Sequence, residues 1–412
     1  MKVLYMIGCI CLSLLGNVSQ AVETKAYIIP KTVAGVERHQ MSLNGDWSFQ
    51  FSPKSKWSPI QVPGEAAMQG YAIEHDKPVL YKKQFVLPAD YKGQRTILRF
   101  DGVYSYARLW VNGTYVREHF GGFSRWEADI TSLVKPGKKN EIKLEVTDRL
   151  DDISYASGYA HHPIGGILRD VTVYALPQTN VSDLMIETDL DDTYTDASLK
   201  VSFDISRDAR VRYSLRDPKG ENLPVAVKEV KAGRVNHDFA VAAPLKWDAE
   251  HPHLYTLDIH LEEAGKEVCR ISRNVGFREI KIDGNKMLVN GQPVKLRGAC
   301  RHDIHPTLGR TITAELDSLD AAIFKHTNMN FVRTSHYPPT ERFLDYCDKM
   351  GLYVECETAI CFVNTHRQKN YGPAASQEDP LFTDRYMGQL KEMVNSLRTH
   401  TSCHLQLSGL GR

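Results

Sequence analysis

Charge of one sign is what this 412-residue chain lacks. Its 51 Lys and Arg offset 50 Asp and Glu, leaving a formal net charge of +1. No basic surplus exists to neutralise a phosphate backbone or an anionic bilayer, so nothing points to nucleic acid or a membrane surface as a partner. Long apolar runs are scarce too. The run at residues 3–15 is too short to span a bilayer, and no other stretch is apolar enough for a stable membrane span. With Lys2 before it and Ser19-Gln20-Ala21 after it, residues 1–21 read as a signal peptide. The expectation is a periplasmic or secreted protein. Cysteine is sparse: of eight, two fall in residues 1–21. The other six are Cys269, Cys300, Cys347, Cys356, Cys361 and Cys403, and they form neither a CxxC pair nor a zinc pattern. Buried thiols are expected rather than a disulfide framework, and no metal or cofactor is expected.

Residues from about 40 to 178 alternate apolar and polar side chains in short runs, as in Trp47-Ser48-Phe49-Gln50-Phe51 and Ala107-Arg108-Leu109-Trp110-Val111. Such runs, separated by turn residues, predict a β-sandwich. Asn112-Gly113 supplies a tight hairpin turn. A second set of short strands, including Leu199-Lys200-Val201-Ser202-Phe203, suits an immunoglobulin-like sandwich over residues 179–280. From about 285 the pattern changes to strand–helix alternation. It predicts strands near 294–299, 329–333 and 352–356. Helices are predicted at about 313–326, 340–350 and 381–398. The first helix carries Leu316, Leu319, Ala322 and Ile323 at helical spacing.

The richest segment is Asn330-Phe331-Val332-Arg333-Thr334-Ser335-His336-Tyr337-Pro338-Pro339. A short apolar strand ends in a polar cluster, and two prolines stop it. In a (β/α) barrel the active site is built at that end of the strands. Arg333 can hold a carboxylate by two parallel hydrogen bonds, and His336 can bond a sugar hydroxyl. A purely structural Arg–His corner is the alternative.

This segment, continuing through Phe343-Leu344, Asp348 and Gly351-Leu352-Tyr353, resembles the signature of glycoside hydrolase family 2, which includes β-galactosidases and β-glucuronidases. Leu288-Val289-Asn290-Gly291 and Arg301-His302 resemble the approach to the family's first barrel strand. Gly121-Gly122-Phe123 and Gly165-Gly166-Ile167-Leu168-Arg169-Asp170-Val171 resemble its N-terminal jelly roll. The resemblance implies a jelly-roll domain at 22–178, the immunoglobulin-like sandwich at 179–280 and the first part of a (β/α)8 TIM barrel at 281–412. It implies an oligosaccharide or β-glycoside substrate and leaves the oligomeric state open. His302 and His336 would contact sugar hydroxyls, Arg333 would hold the nucleophile charged, and Glu357 would lie near the site or act as a buried structural carboxylate. Asp303 and His305 read as loop residues. Cys361 and Val363 stand where the magnesium-dependent members have metal ligands, which puts that metal site in doubt.

The family's acid/base and nucleophilic glutamates have no counterpart, since no Asp or Glu follows Glu392. Thr401 stands in His400-Thr401-Ser402 where a proline is usual, and after Ser402 the resemblance is expected to fail. A frameshift or early stop near codon 402 would account for that, leaving about three barrel strands. The rival reading is a non-catalytic carbohydrate-binding sandwich in which Trp110, Trp126 or Tyr159 stacks on a sugar, with His161 and His162 on an exposed loop. A remnant without function is a third.

Overall fold

The computed structural model describes residues 40–149, 164–223, 226–359 and 380–407. The expected signal peptide, Tyr159, His161, His162, Cys361 and Val363 lie outside the described residues.

The first unit is a sandwich. Its six-stranded sheet contains β1 (Gly45–Gln50), β2 (Ser58–Val62), β3 (Val79–Val86), β4 (Tyr106–Val111), β5 (Thr114–Phe120) and β6 (Lys139–Thr147). They lie side by side in the order β2-β1-β3-β6-β4-β5, all antiparallel. Period-two patterning turns Trp47, Phe49, Tyr81, Leu109 and Leu144 inward, against Leu98, Phe100 and Trp126 of a facing four-stranded sheet. Trp126 stacks on Phe100 at 4.5 Å and is core, which removes it from the set of sugar-stacking candidates. Asn112 and Gly113 both have positive φ (48° and 82°), as a two-residue hairpin turn of right-handed twist requires.

The second unit, between Val181 and Val275, packs a three-stranded sheet on a second antiparallel sheet around Leu199, Phe203, Tyr213, Ile259 and Ile271. Its exit is fixed to the third unit. The Gly276 N–H donates to Thr401 Oγ1 at 2.9 Å, and Arg278 Nε donates to the Thr401 carbonyl at 2.6 Å. Thr401, the departure from the family pattern, thus has a partner for its hydroxyl that proline could not offer.

After a short hairpin comes a parallel sheet: β7 (Gly298–Arg301), β8 (Phe331–Thr334), β9 (Tyr353–Glu357) and β10 (Cys403–Leu407), adjacent in that order. The helices α1 (Ala314–His326), α2 (Glu341–Met350) and α3 (Pro380–Leu397) connect them. Three expectations need correction. Four strands are present rather than three, because residues 403–407 pair in parallel with β9, Cys403 opposite Val354. The first strand begins at Gly298 rather than near 294, since the Val294 N–H is still bonded to Met287 of the hairpin. The apolar stripe of α1 does not face the core: Leu319 and Ile323 are exposed. Asp317, drawn to Arg301, and Ala321 take the buried side instead. The thiol reading also changes at one position: Cys300 is exposed, whereas Cys269, Cys347, Cys356 and Cys403 are buried and free.

α2 starts at Thr340, whose side chain accepts from the Phe343 N–H, and ends at Gly351 in the left-handed conformation. It buries Phe343, Leu344 and Cys347 against β8 and β9. On the same helix, Asp348 accepts from Ser402 N at 2.6 Å and lies 3.0 Å from His400 Nδ1. Burial opposes its charge, but the bonds from His400 and Ser402 outweigh burial and hold its carboxyl below the usual range.

Two predictions follow from this packing. A Cβ on Gly298 would fall 1.9 Å from the Phe331 carbonyl oxygen, inside the β7–β8 ladder. Gly298→Ala is therefore expected to lower the denaturation midpoint of the parallel unit, at a cost of about 1–3 kcal/mol or more; an unchanged midpoint would contradict this packing. In the first sandwich, burial pushes the Glu127 carboxyl up to about 8 against the pull of Arg125 and Arg99, and Tyr174 bonds it at 2.9 Å. An acid whose pKa is raised by folding contributes most below its unfolded value and loses that contribution as pH climbs to the folded value. Stability should decline between pH 4.5 and about 8, and Glu127→Gln should flatten that slope in denaturant titrations.

Candidate active site

The parallel register brings the polar strand ends together. Arg333 is the third residue of β8 and Glu357 the last of β9, while His302 follows β7 and His336 follows β8. Glu357 is 1% exposed. Its Oε2 lies 3.1 Å from Arg333 Nη2, and its Oε1 lies 3.5 Å from His336 Nδ1. The Glu357 N–H donates to Thr334 Oγ1, tying the two strand ends. Glu355, two residues earlier on the same strand face, lies 3.3 Å from Arg333 Nε. One guanidinium thus spans two carboxylates. Burial raises the Glu355 carboxyl, which Glu357 reinforces and Arg333 opposes. The His336 ring is 5.2 Å from that of His302, edge to face. Burial depresses the His302 pKa, and Arg310 and His336 depress it further. His302 is therefore neutral at pH 7, with one ring nitrogen to donate and one to accept, as a hydroxyl partner should be. All four expected site residues converge.

The first sandwich builds the floor of this site, and that contribution is not legible from local sequence. Arg169 is 8% exposed and reaches across the junction. It donates to the carbonyls of Phe123 (2.6 Å), Pro338 (2.6 Å) and Pro339 (3.3 Å), and to Asp303 Oδ2 at 2.9 Å. Phe123 stacks on Tyr337 with ring centres 3.8 Å apart. Arg310 Nη1 donates to the Tyr337 hydroxyl at 2.7 Å, and the Arg310 N–H donates to Glu65 of the sandwich at 2.7 Å. Burial pushes the Tyr337 phenol up to about 12.

Asp303 lies in the loop after β7, as expected, but it is not a solvent-facing residue. It is buried between Arg169 and Arg301, and Arg301 continues to Asp317 at 3.0 Å and Asp320 at 2.8 Å. His305 closes a small loop through paired backbone bonds with Gly309, in keeping with a loop role. The Gly165-Gly166-Ile167-Leu168-Arg169 motif was the available signal for Arg169, but a motif does not say which distant carbonyls its side chain will meet.

The set can orient a sugar by hydroxyl contacts from two imidazoles beside a fixed, charged Arg–Glu unit. Two experiments check it. The His302 ring should titrate below 6.5 when followed by NMR, and a value at or above 6.5 would contradict the burial described. Arg169→Ala leaves Asp303 buried with one cation fewer and should cost about 3–5 kcal/mol in urea unfolding. Arg169→Lys should recover little of it, because one ammonium cannot reach four acceptors in a plane.

Three family models match the chain in succession. The glycosyl hydrolases family 2 sugar binding domain matches residues 35–177, the glycosyl hydrolases family 2 domain 179–278, and the family's TIM barrel domain 280–405. The barrel match runs past Ser402, where the resemblance was expected to fail. Among curated proteins, the chain is 30% identical to a beta-galactosidase of Priestia megaterium over 88% of its own length and 40% of that protein. It is 29% identical to one from Pseudoalteromonas haloplanktis over 89% of its length and 39% of that protein. The chain thus spans about 40% of the length of these curated relatives. Among solved structures, a b-glucuronidase from Ruminococcus gnavus superposes with a TM-score of 0.78 at 23% identity, over 94% of this chain and 70% of that one. Beta-glucuronidase 2 of Bacteroides uniformis gives 0.76 at 25%, over 88% of this chain and 46% of that one. With the fold, the strand-end cluster and three consecutive domain matches in agreement, the chain belongs to glycoside hydrolase family 2.

Proposed function

We propose that these residues form the substrate-binding part of a retaining exo-β-glycosidase acting on a terminal β-galactoside, with β-glucuronide and β-mannoside as the competing substrates. The observation that carries the reading is the Arg333–Glu357–His336–His302 cluster at the C-terminal ends of adjacent parallel strands. The beta-galactosidase relatives support the choice of sugar. Export to the periplasm or medium belongs to the same proposal and rests on residues 1–21.

Retention needs two carboxyl groups about 5–5.5 Å apart, one attacking and one trading a proton with the leaving oxygen. The two carboxylates of this site are both committed to Arg333. Glu357 and Glu355 therefore set the position and charge of Arg333. In this reading Arg333 presents its remaining donors to a nucleophilic carboxylate, and the histidines seat the sugar ring. Neither member of the catalytic pair occurs in the 412 residues.

The purified 412-residue chain should accordingly release no nitrophenol from nitrophenyl β-galactoside, β-glucuronide or β-mannoside above a blank. Release that survives repurification and is lost in Arg333→Ala would overturn this. Sugar binding should remain measurable: galactose titrated by NMR should shift the His302 and His336 ring signals, and Arg333→Ala or Glu357→Gln should weaken that binding at least tenfold. Absence of any shift would remove the proposed site.

A further inference from the structure

The solvent face of the six-stranded sheet carries a row that the barrel-end site does not use. Cross-strand pairing places Ser48 opposite Lys82, Lys82 opposite Lys143, Lys143 opposite Trp110, and Trp110 opposite Tyr115. Trp57, just before β2, extends the row across the small Ser48 until Lys82 Nζ lies 4.4 Å from its ring centre. Lys143 Nζ lies 4.8 Å from the Trp110 ring. Trp57 is 39% exposed and Tyr115 47%. The sequence across the sheet is thus Trp, Lys, Lys, Trp, Tyr. From the strand line of Trp57 to that of Tyr115 the row crosses five strand spacings of about 4.8 Å, roughly 24 Å in all.

Two features are costly without a ligand. Like charges directly opposite on neighbouring strands destabilise a sheet. Here each lysine leans away from the other, onto its own indole, and among the described residues neither ammonium joins an ion pair. The carboxylates beside them are engaged: Glu145 with Arg108, and Glu141 with Gln84. Trp57 and Tyr115 are also left exposed on a face whose other side is core, while Trp110 is half-buried and has the Arg108 guanidinium 5.1 Å from its ring centre as well.

We infer that this row binds an extended uronate-bearing glycan. Sugar rings would lie on the exposed Trp57 and Tyr115, with the half-buried Trp110 between them, and a carboxylate would sit between the ammonium groups of Lys82 and Lys143. The charge pattern selects the ligand: a neutral glycan would leave the two lysines facing each other unrelieved, whereas one carboxylate compensates both. The inference is independent of turnover at the barrel end, because the row lies wholly on the first sandwich.

Affinity electrophoresis of the full chain tests it, with sodium alginate in the gel as the polyuronate, dextran as the neutral control and dextran sulfate as the alternative anion. Alginate should reduce mobility at least threefold and dextran should leave it unchanged. The double substitution Trp57→Ala with Trp110→Ala should abolish the retardation, and so should Lys82→Gln with Lys143→Gln. All four side chains lie on the solvent face, so circular dichroism spectra should match those of the parent chain. Should either pair disturb the spectrum, Tyr115→Ala and Lys143→Gln singly should each weaken retardation. No retardation in alginate would overturn the proposal. So would retardation by dextran sulfate alone, or alginate retardation that survives the aromatic substitutions, which would mark a diffuse charge effect.

Discussion

The arrangement depends on a buried relay of charge across the domain junction: Arg169 to Asp303, Asp303 to Arg301, and Arg301 to Asp317. Each member is 8% exposed or less. Ions taken this far from water are tolerable only when each has a partner of opposite sign and its remaining hydrogen-bonding positions filled. The relay satisfies that condition with side chains from both units, and Thr340 closes its far end by donating to Asp317 at 2.6 Å. The Arg169–Asp303 pair takes one member from each unit and so ties the sandwich to the parallel sheet. The Tyr337–Pro339 loop, clamped by the same arginine, follows directly from His336. Positional accuracy at His336 is thus inherited from an ion network to which it does not itself belong.

The sequence carried much of the fold because its signals were local. Alternation at Trp47, Phe49 and Leu109 declared the sandwich faces, and apolar strands ending in Arg333-Thr334-Ser335-His336 or in Glu357 declared which strand ends carry chemistry. Signals failed where the deciding interaction was distant. In α1, helical spacing of Leu316, Leu319, Ala322 and Ile323 correctly implied a helix but misjudged its rotation. The buried side is taken by Asp317, paired with Arg301, and turning Leu319 and Ile323 inward would leave that buried guanidinium short of one carboxylate. Asp303 gave no sequence signal of burial because its partner Arg169 is 134 positions away.

Thr401 gives a related lesson. As a departure from the family's proline it suggested a break in the pattern. In place, its hydroxyl receives the Gly276 N–H and its carbonyl receives Arg278, so it joins the exit of the second sandwich to the approach of β10. Gly276 itself must lack a side chain, since a Cβ there would meet Thr401 at 2.4 Å and Trp247 at 2.7 Å. The substitution and its surroundings are mutually adapted, and the strand that follows keeps its parallel pairing with β9.

The bond from Arg169 to the Pro338 carbonyl spans 169 positions of chain. Closing so long a loop carries an entropic cost that is recovered only once both ends are already structured. As the chain emerges from the ribosome N-terminus first, the sandwich bearing Arg169 can be complete before Pro338 is synthesised. β8 needs β7 and β9 as pairing partners, and the loop between β8 and α2 acquires its shape by docking onto a surface made earlier. The first sandwich thus offers, before the barrel strands are made, the surface on which the Tyr337–Pro339 loop settles.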